Sequence, residues 1–280
     1  MDFVLDLAVT TASLLLVIIG LGIILGLMDV INLAHAGLMA VGVYATLVFA
    51  QMGAGFVVAV IAATIVTAVI GAAIERIVIR GLYGRTIDDT ILGTWGVSLI
   101  LIQSISWIFG RQPVGLNVPI HGGIVVFGID YPAYRLVLVA VAAAIMLTLA
   151  AIMRFTRLGL TVRMVMTNEM LARGVGIDTV RVRQITFITG AAIAGAAGAL
   201  LGPTQGMSPQ YGVAFLAPAF LAVLMAGRNL GGLLAAAILL GSTQVLVTIY
   251  ANPVYADVAV IVVAVVMLRI WPSGFTWRRA

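Results

Sequence analysis

The run Phe56-Val57-Val58-Ala59-Val60-Ile61-Ala62-Ala63-Thr64-Ile65-Val66-Thr67-Ala68-Val69-Ile70-Gly71-Ala72-Ala73-Ile74, closed by Glu75 and Arg76, decides the class of this protein. It passes without a charge for about the 20 residues that a helix needs to cross a hydrocarbon core. Similar runs recur along the chain. They place helical spans at about 8–28, 37–53, 56–75, 90–110, 134–153, 185–203, 213–227, 231–250 and 256–271. The segment 213–227 is short and contains Pro218, so eight or nine full spans are expected, and nine is preferred.

Composition agrees. Of 280 residues, 63% are hydrophobic and only 9% charged, with a mean hydropathy of +1.22. A soluble domain carries roughly 25% charged residues, because its surface must be solvated. The expected fold is therefore all-α, a polytopic integral membrane protein of about 8–9 transmembrane helices, in a single transmembrane domain over residues 1–280.

The loops sort the charges. Arg76, Arg80 and Arg85 share one loop, Arg154, Arg157, Arg163, Arg173, Arg181 and Arg183 another, and Arg228, Arg269, Arg278 and Arg279 fall on the same side. Only Arg111 and Arg135 fall opposite. The positive-inside rule then puts the N-terminus outside and the C-terminus in the cytoplasm. The acidic start, Met1-Asp2-Phe3-Val4-Leu5-Asp6, lacks the basic region of a secretory signal, so no cleaved leader is expected. Trp107, Tyr131, Tyr134, Tyr250, Tyr255 and Trp271 sit near span ends, as interfacial anchors do.

Several chemistries are excluded. With no cysteine there is no thiolate metal site. His35 and His121 stand alone in separate segments, and no Ser/Lys pair, His/Asp cluster or paired carboxylates suggest an intramembrane enzyme. The chain contains no lysine, and a phosphate-binding P-loop needs one, so any ATP hydrolysis must be done elsewhere. No span has a carboxylate near its centre, which speaks against an ion-coupled carrier.

Three segments carry candidate function. In Met28-Asp29-Val30-Ile31-Asn32-Leu33-Ala34-His35-Ala36-Gly37 the chain turns back with almost no loop and sets Asp29, Asn32 and His35 three residues apart. Polar groups at an apolar boundary need partners. A broken helix at a transport site supplies such groups, and a tight turn capped by Asp29 or Asn32 would also explain them. In the fourth span, Thr94 and Ser98 share a face one turn apart, and Gln103 is an uncharged polar group within the apolar run. Hydroxyls of this kind often bond back to their own helix. The candidate translocation path is thus Asn32, His35, Gly37, Thr94, Ser98 and Gln103.

The third segment is the basic loop at about 154–184. Within it Asn168-Glu169-Met170-Leu171-Ala172-Arg173-Gly174-Val175-Gly176-Ile177 reads as a short helix ended by glycine, and Asp178 or Thr179 then caps the next. Asn168, Glu169, Ala172, Arg173 and Gly176 are its candidate docking residues. Further along, Gly190, Ala194, Gly198 and Gly202 recur every four residues, a spacing that lets helix backbones approach closely either within one chain or between subunits.

These residues resemble the LivH-type permeases of branched-chain amino acid ABC importers, nearly end to end. Ile31-Asn32-Leu33-Ala34-His35-Ala36-Gly37 is similar to that family's N-L-A-H-G signature, with Ala36 between the usual His and Gly. Asn168–Ile177 resembles its cytoplasmic coupling loop. Ala226-Gly227-Arg228-Asn229-Leu230-Gly231-Gly232 resembles a G-G-x-G-x-x-x-G region, departing at Arg228 and Asn229. Trp271-Pro272-Ser273-Gly274-Phe275 resembles the family's R-P-x-G-L/F ending. Thr94-Trp95-Gly96-Val97-Ser98 is also similar to the family's urea and short-amide permeases. The resemblance implies a transport subunit of the bacterial inner membrane, with a second homologous permease, two cytoplasmic ATPases and an extracytoplasmic substrate-binding protein as partners. It implies no cofactor in this chain, ATP and Mg on the ATPases, contact with membrane lipid and none with nucleic acid. An ion-coupled carrier or channel for a small polar solute is the alternative.

Overall fold

The computed structural model describes residues 2–28, 30–126, 128–227, 229–272 and 274–275. Asp29, Arg228, Ser273, Arg278 and Arg279, all used in the sequence reading, lie outside the described residues. Eleven α-helices follow in chain order: α1 (Asp2–Met28), α2 (His35–Gln51), α3 (Phe56–Ile77), α4 (Ile87–Phe109), α5 (Ala133–Phe155), α6 (Arg157–Thr167), α7 (Glu169–Gly174), α8 (Thr179–Gln205), α9 (Val213–Ala226), α10 (Leu230–Tyr250) and α11 (Pro253–Ile270).

All nine predicted spans fall on helices. Seven of these (α1, α3, α4, α5, α8, α10 and α11) are long and apolar enough to cross a membrane, and α2 and α9 are shorter apolar helices. The outer face stays greasy, as lipid requires: Val57, Ile61, Ile65 and Val69 of α3 are all exposed. Among the described residues, the chain departs from helix at an isolated antiparallel bridge between Val114 and Met207 and at a hairpin of β1 (Gly123–Val126) and β2 (Ile129–Pro132). It is antiparallel, with Gly123 opposite Pro132 and Val126 opposite Ile129. Gly128 supplies the positive φ in its turn.

Helix α8 is the hub, and glycine is the reason. A Cβ on Gly198 would be driven into the backbone of Met39, and one on Gly42 into the backbone of Gly195. A Cβ on Gly195 would strike Thr67, one on Gly71 would strike Ala191, and one on Gly190 would strike Ile24. The small-residue stripe therefore packs inside the chain, against α1, α2 and α3. With lipid as apolar as leucine, such close backbone approach is what holds the helices together.

One end of the bundle carries Arg76, Arg80, Arg85, Arg154, Arg157, Arg163, Arg173, Arg181, Arg183 and Arg269, in or beside the connections there. The opposite end carries Arg111, Arg135 and the hairpin. Of the predicted interfacial aromatics, Trp107, Tyr250, Tyr255 and Trp271 are exposed near helix ends. Tyr131 and Tyr134 are instead buried and act within the protein. The Tyr131 hydroxyl donates to Asp6 Oδ1 at 2.7 Å, and the Tyr134 hydroxyl donates to the Leu200 carbonyl.

Candidate functional site

Between α1 and α2 the chain is not helical, and α2 begins deep in the bundle. The His35 ring lies against Gly20, where a Cβ would sit 3.2 Å from Cε1. Gly20 is eight residues from the end of α1, about 12 Å along its axis. The hydrocarbon core is about 30 Å thick, so the start of α2 lies well inside it. Its N-cap is Ala34, with no side-chain cap. Asn32 therefore does not cap the helix, as the tight-turn reading expected.

Thr94 holds this break in place. Its hydroxyl accepts the Leu33 N–H at 3.1 Å and donates to its own helix at the Thr90 carbonyl (2.7 Å), with the Ile31 carbonyl at 3.0 Å. It thus bonds back within α4 and grips the neighbouring segment together. One turn on, Ser98 packs against α2, since a Cβ on Gly37 would lie 3.2 Å from Ser98 Cα and 3.0 Å from Leu101 Cβ. Only a glycine lets α2 and α4 meet this closely.

Asn32, His35, Thr94 and Ser98 are all buried to 1% exposure or less. Among the described residues the Asn32 amide and the Ser98 hydroxyl have no hydrogen-bond partner. The His35 ring approaches the Val17 backbone, but neither ring nitrogen reaches hydrogen-bond geometry. Unpaired polar groups inside an apolar bundle are costly, and a knot of them sits at the start of α2. Gln103 is not part of it. Nine residues beyond Thr94, it lies about half a turn around α4 and is half-buried.

The knot makes unequal demands on its two hydroxyls. Thr94→Val leaves the Leu33 N–H unpaired and should lower unfolding stability by about 1–3 kcal/mol. Ser98→Ala removes a hydroxyl without partners and should be near neutral. Denaturation of the purified variants measures both, and equal losses would mean that Thr94 does not clamp the break.

At the end opposite the arginines lies a cavity of about 840 Å³ between α1, α5, α8, α9, α10 and α11. Asp6, Thr10 and Ser13 of α1, Arg135 of α5, Gln244 and Thr248 of α10 and Asp257 of α11 give it a polar lining beside apolar walls. None of the candidate translocation-path or docking residues lines it. The signal that could have found it is the outlying Arg135 together with Asp6 and Asp257, the acids near the start of α1 and α11.

At the arginine-rich end the 154–184 segment folds as α6, α7 and the start of α8. Asn168 caps α7 by accepting the Leu171 N–H at 3.0 Å, Gly176 turns the chain at φ +86°, and Asp178 caps α8. Glu169 pairs with Arg173 at 2.6 Å and with Arg183 of α8. Burial opposes its charge, but the hydrogen bond from Arg173 and the Arg183 guanidinium outweigh it and hold the carboxyl below its usual range. Arg173 Nε also donates to Thr179 at 2.9 Å.

The chain of contacts runs onward. The Arg183 guanidinium lies 4.9 Å over the Tyr83 ring, and the Tyr83 hydroxyl donates to Glu75 Oε1 at 2.9 Å. Burial, reinforced by the Glu75 hydrogen bond, pushes the Tyr83 phenol up. The short helix is thereby tied to α8 and to the α3–α4 connection. Ala172 is its buried foot, while Met170, Leu171 and Val175 stand exposed.

A family model described as the permease component of branched-chain amino acid transport systems matches residues 3–270. The high-affinity branched-chain amino acid transport system permease protein LivH of Escherichia coli K12 is 27% identical, over 94% of this chain and 91% of its own. The LivH protein of Salmonella typhimurium is 28% identical over the same shares, and BraD of Pseudomonas aeruginosa is 26% identical. A solved structure, PsaBC from Streptococcus pneumoniae in complex with Fab, is similar in fold. Its TM-score is 0.52 at 17% identity, covering 96% of this chain and 91% of that one.

Proposed function

Since this chain belongs to the branched-chain amino acid transport permease family, we propose that it forms the membrane path for a branched-chain amino acid and works with a second, homologous permease. Two cytoplasmic ATPases, carrying ATP and Mg, drive the pair, and an extracytoplasmic binding protein delivers the solute. The N-terminus faces outward and the C-terminus the cytoplasm, with the arginine-rich end inside.

The observation that carries this reading is α7. A capped, glycine-bounded helix with Met170, Leu171 and Val175 exposed at the arginine-rich end has the build of a docking element. Asn168, Glu169, Ala172, Arg173 and Gly176 shape it. A chain without lysine needs an external ATPase, and this helix gives one something to hold. Movement of α7 passes through the Glu169–Arg183 pair into α8, whose glycine face carries α1, α2 and α3. ATP binding shifts the equilibrium only if the ATPases prefer one state of this bundle.

In this reading Asn32, His35, Gly37, Thr94 and Ser98 form the closed constriction of the path, with Gln103 on a separate face of α4. Polar groups unpaired here gain partners when the helices part and solute or water enters.

Reconstitution with and without the ATPases tests the class. Uptake of labelled leucine should require the ATPases, ATP and the binding protein. Equal uptake by the permease alone, following an imposed ion gradient, would instead establish an ion-coupled carrier.

A further inference from the structure

Two polar atoms buried at the arginine-rich end lack partners, although each could satisfy the other. One is Oε2 of Glu75, in the last turn of α3, and the other is Nε of Arg183, in the second turn of α8. Glu75 is buried to 1% exposure. Among the described residues it joins no ion pair, and Arg76 and Arg80 beside it in the chain are exposed. The Tyr83 hydroxyl donates to its other oxygen. A single phenol is thin compensation for a carboxyl taken out of water.

Arg183 is itself only 16% exposed and is held by Glu169 of α7. Its guanidinium lies on the face of the Tyr83 ring, so that ring stands between it and Glu75. One arginine thus has two carboxyl groups in its neighbourhood and pairs with one. Tyr83 also packs into the apolar cluster of Ile79, Phe187 and the end of α1 through Val30. Its movement would be felt two residues from Asn32.

We propose that Arg183 is a partner-exchanging latch, paired with Glu169 while α7 rests against α8 and with Glu75 when the ATPases draw α7 away. This rests on the docking reading of α7 and names the residues that make its movement reversible. Pulling Glu169 off Arg183 with no substitute would strand a largely buried guanidinium, which is strongly unfavourable. Glu75 removes most of that penalty, because Nε and a terminal nitrogen can meet both its oxygens side by side. The Tyr83 ring, a flat surface on which a guanidinium stacks, is the track between the two positions. Glu75 and Tyr83 are therefore positioning residues for transport, although Glu75 is shut off from the surface. Two carboxylates competing for one arginine bias the two states in opposite directions.

The test is basal ATP hydrolysis, per co-purified ATPase, and ATP-driven leucine uptake by the assembled importer in proteoliposomes. Glu75→Gln keeps an acceptor for Tyr83 and leaves the Glu169 pair intact, so assembly and melting temperature should be unchanged. It removes the waiting partner, so hydrolysis and uptake should both fall about tenfold or more, the loss expected for one charge-assisted pairing. Glu75→Asp should restore part of the uptake. Glu169→Gln removes the resting partner instead, so basal hydrolysis should rise about tenfold while less leucine moves per ATP. The double variant should return hydrolysis toward wild type. Tyr83→Phe keeps the ring but frees Glu75, and should raise hydrolysis as Glu169→Gln does.

A merely structural role would lower hydrolysis in every variant, whereas the latch requires opposite signs. Unchanged hydrolysis and uptake in Glu75→Gln overturns the proposal, and so does a shift of the same sign in Glu75→Gln and Glu169→Gln. Should Glu75→Gln lower the melting temperature, Tyr83→Phe decides alone, and a fall in its hydrolysis overturns the latch. Failure of the importer reading looks different, since the wild type would then show no ATP-dependent uptake at all.

Discussion

Replacing Met170 and Leu171 together by glutamate should reduce ATP-driven transport by at least about a hundredfold, while the protein still reaches the membrane in normal amount. Both side chains are exposed, at 83% and 67%, on a helix of six residues. Nothing inside the protein depends on them. Glutamate in the first turn of a helix is favoured by its dipole, so α7 and its Asn168 cap should survive. What changes is the partner surface, where two carboxylates would have to be buried without counter-charges. Desolvation of one unpaired charge costs several kcal/mol, and a hundredfold loss needs only about 2.7 kcal/mol. Arg181→Gln, at an exposed ion pair of 3.9 Å, serves as the control and should transport nearly normally. Assembly is read by co-purification of the ATPases and function by uptake. Normal uptake in the double variant would mean that α7 is not where the ATPases engage.

The second large effect is a single methyl group. Gly42→Ala should destabilise the protein by more than the about 1–3 kcal/mol typical of overpacking, because its new Cβ points into the backbone of Gly195 rather than at a flexible side chain. Backbone of α2 and α8 would have to separate, and with them the packing of Gly198 on Met39. Gly96→Ala in α4 is the contrast. A Cβ there meets nothing within 4 Å, and alanine favours a helix over glycine by about 1 kcal/mol. One glycine-to-alanine change should therefore unfold the bundle while the other is neutral or mildly stabilising. Unfolding in mixed detergent measures the difference. Equal behaviour would show that the α2–α8 crossing yields more readily than its geometry indicates.

Much of this fold could be read in advance because lipid imposes a simple rule: long uncharged runs become helices. The nine spans followed from that, and the arginines sorted themselves by end. Helix α7 was equally readable, since Asn168, Gly176 and Asp178 are local signals that need no knowledge of the rest of the chain. The hairpin at 123–132 was not, because its strands are four residues each and look like loop. Gln103 was chosen for being polar in an apolar run, yet periodicity alone sets it on the side of α4 away from Thr94. The cavity was hidden for a different reason. Asp6, Arg135 and Asp257 each resemble an ordinary charge at a span boundary, and only tertiary packing brings them together across the chain.

The deep start of α2 also bears on how the protein is made. His35 finds its place between α1 and α8, but Gly190 emerges from the ribosome about 155 residues later. At roughly 5–20 residues per second, some 8–30 s pass before the helix that encloses it exists. Throughout that interval Asn32 and His35 are polar groups without their protein surroundings, and α2, at 17 residues, is at the short limit for holding a span unaided. The nascent second helix must therefore wait at the membrane surface or in the insertion machinery. Its final seating is a late event in biosynthesis, set by the arrival of α8 rather than by its own hydrophobicity.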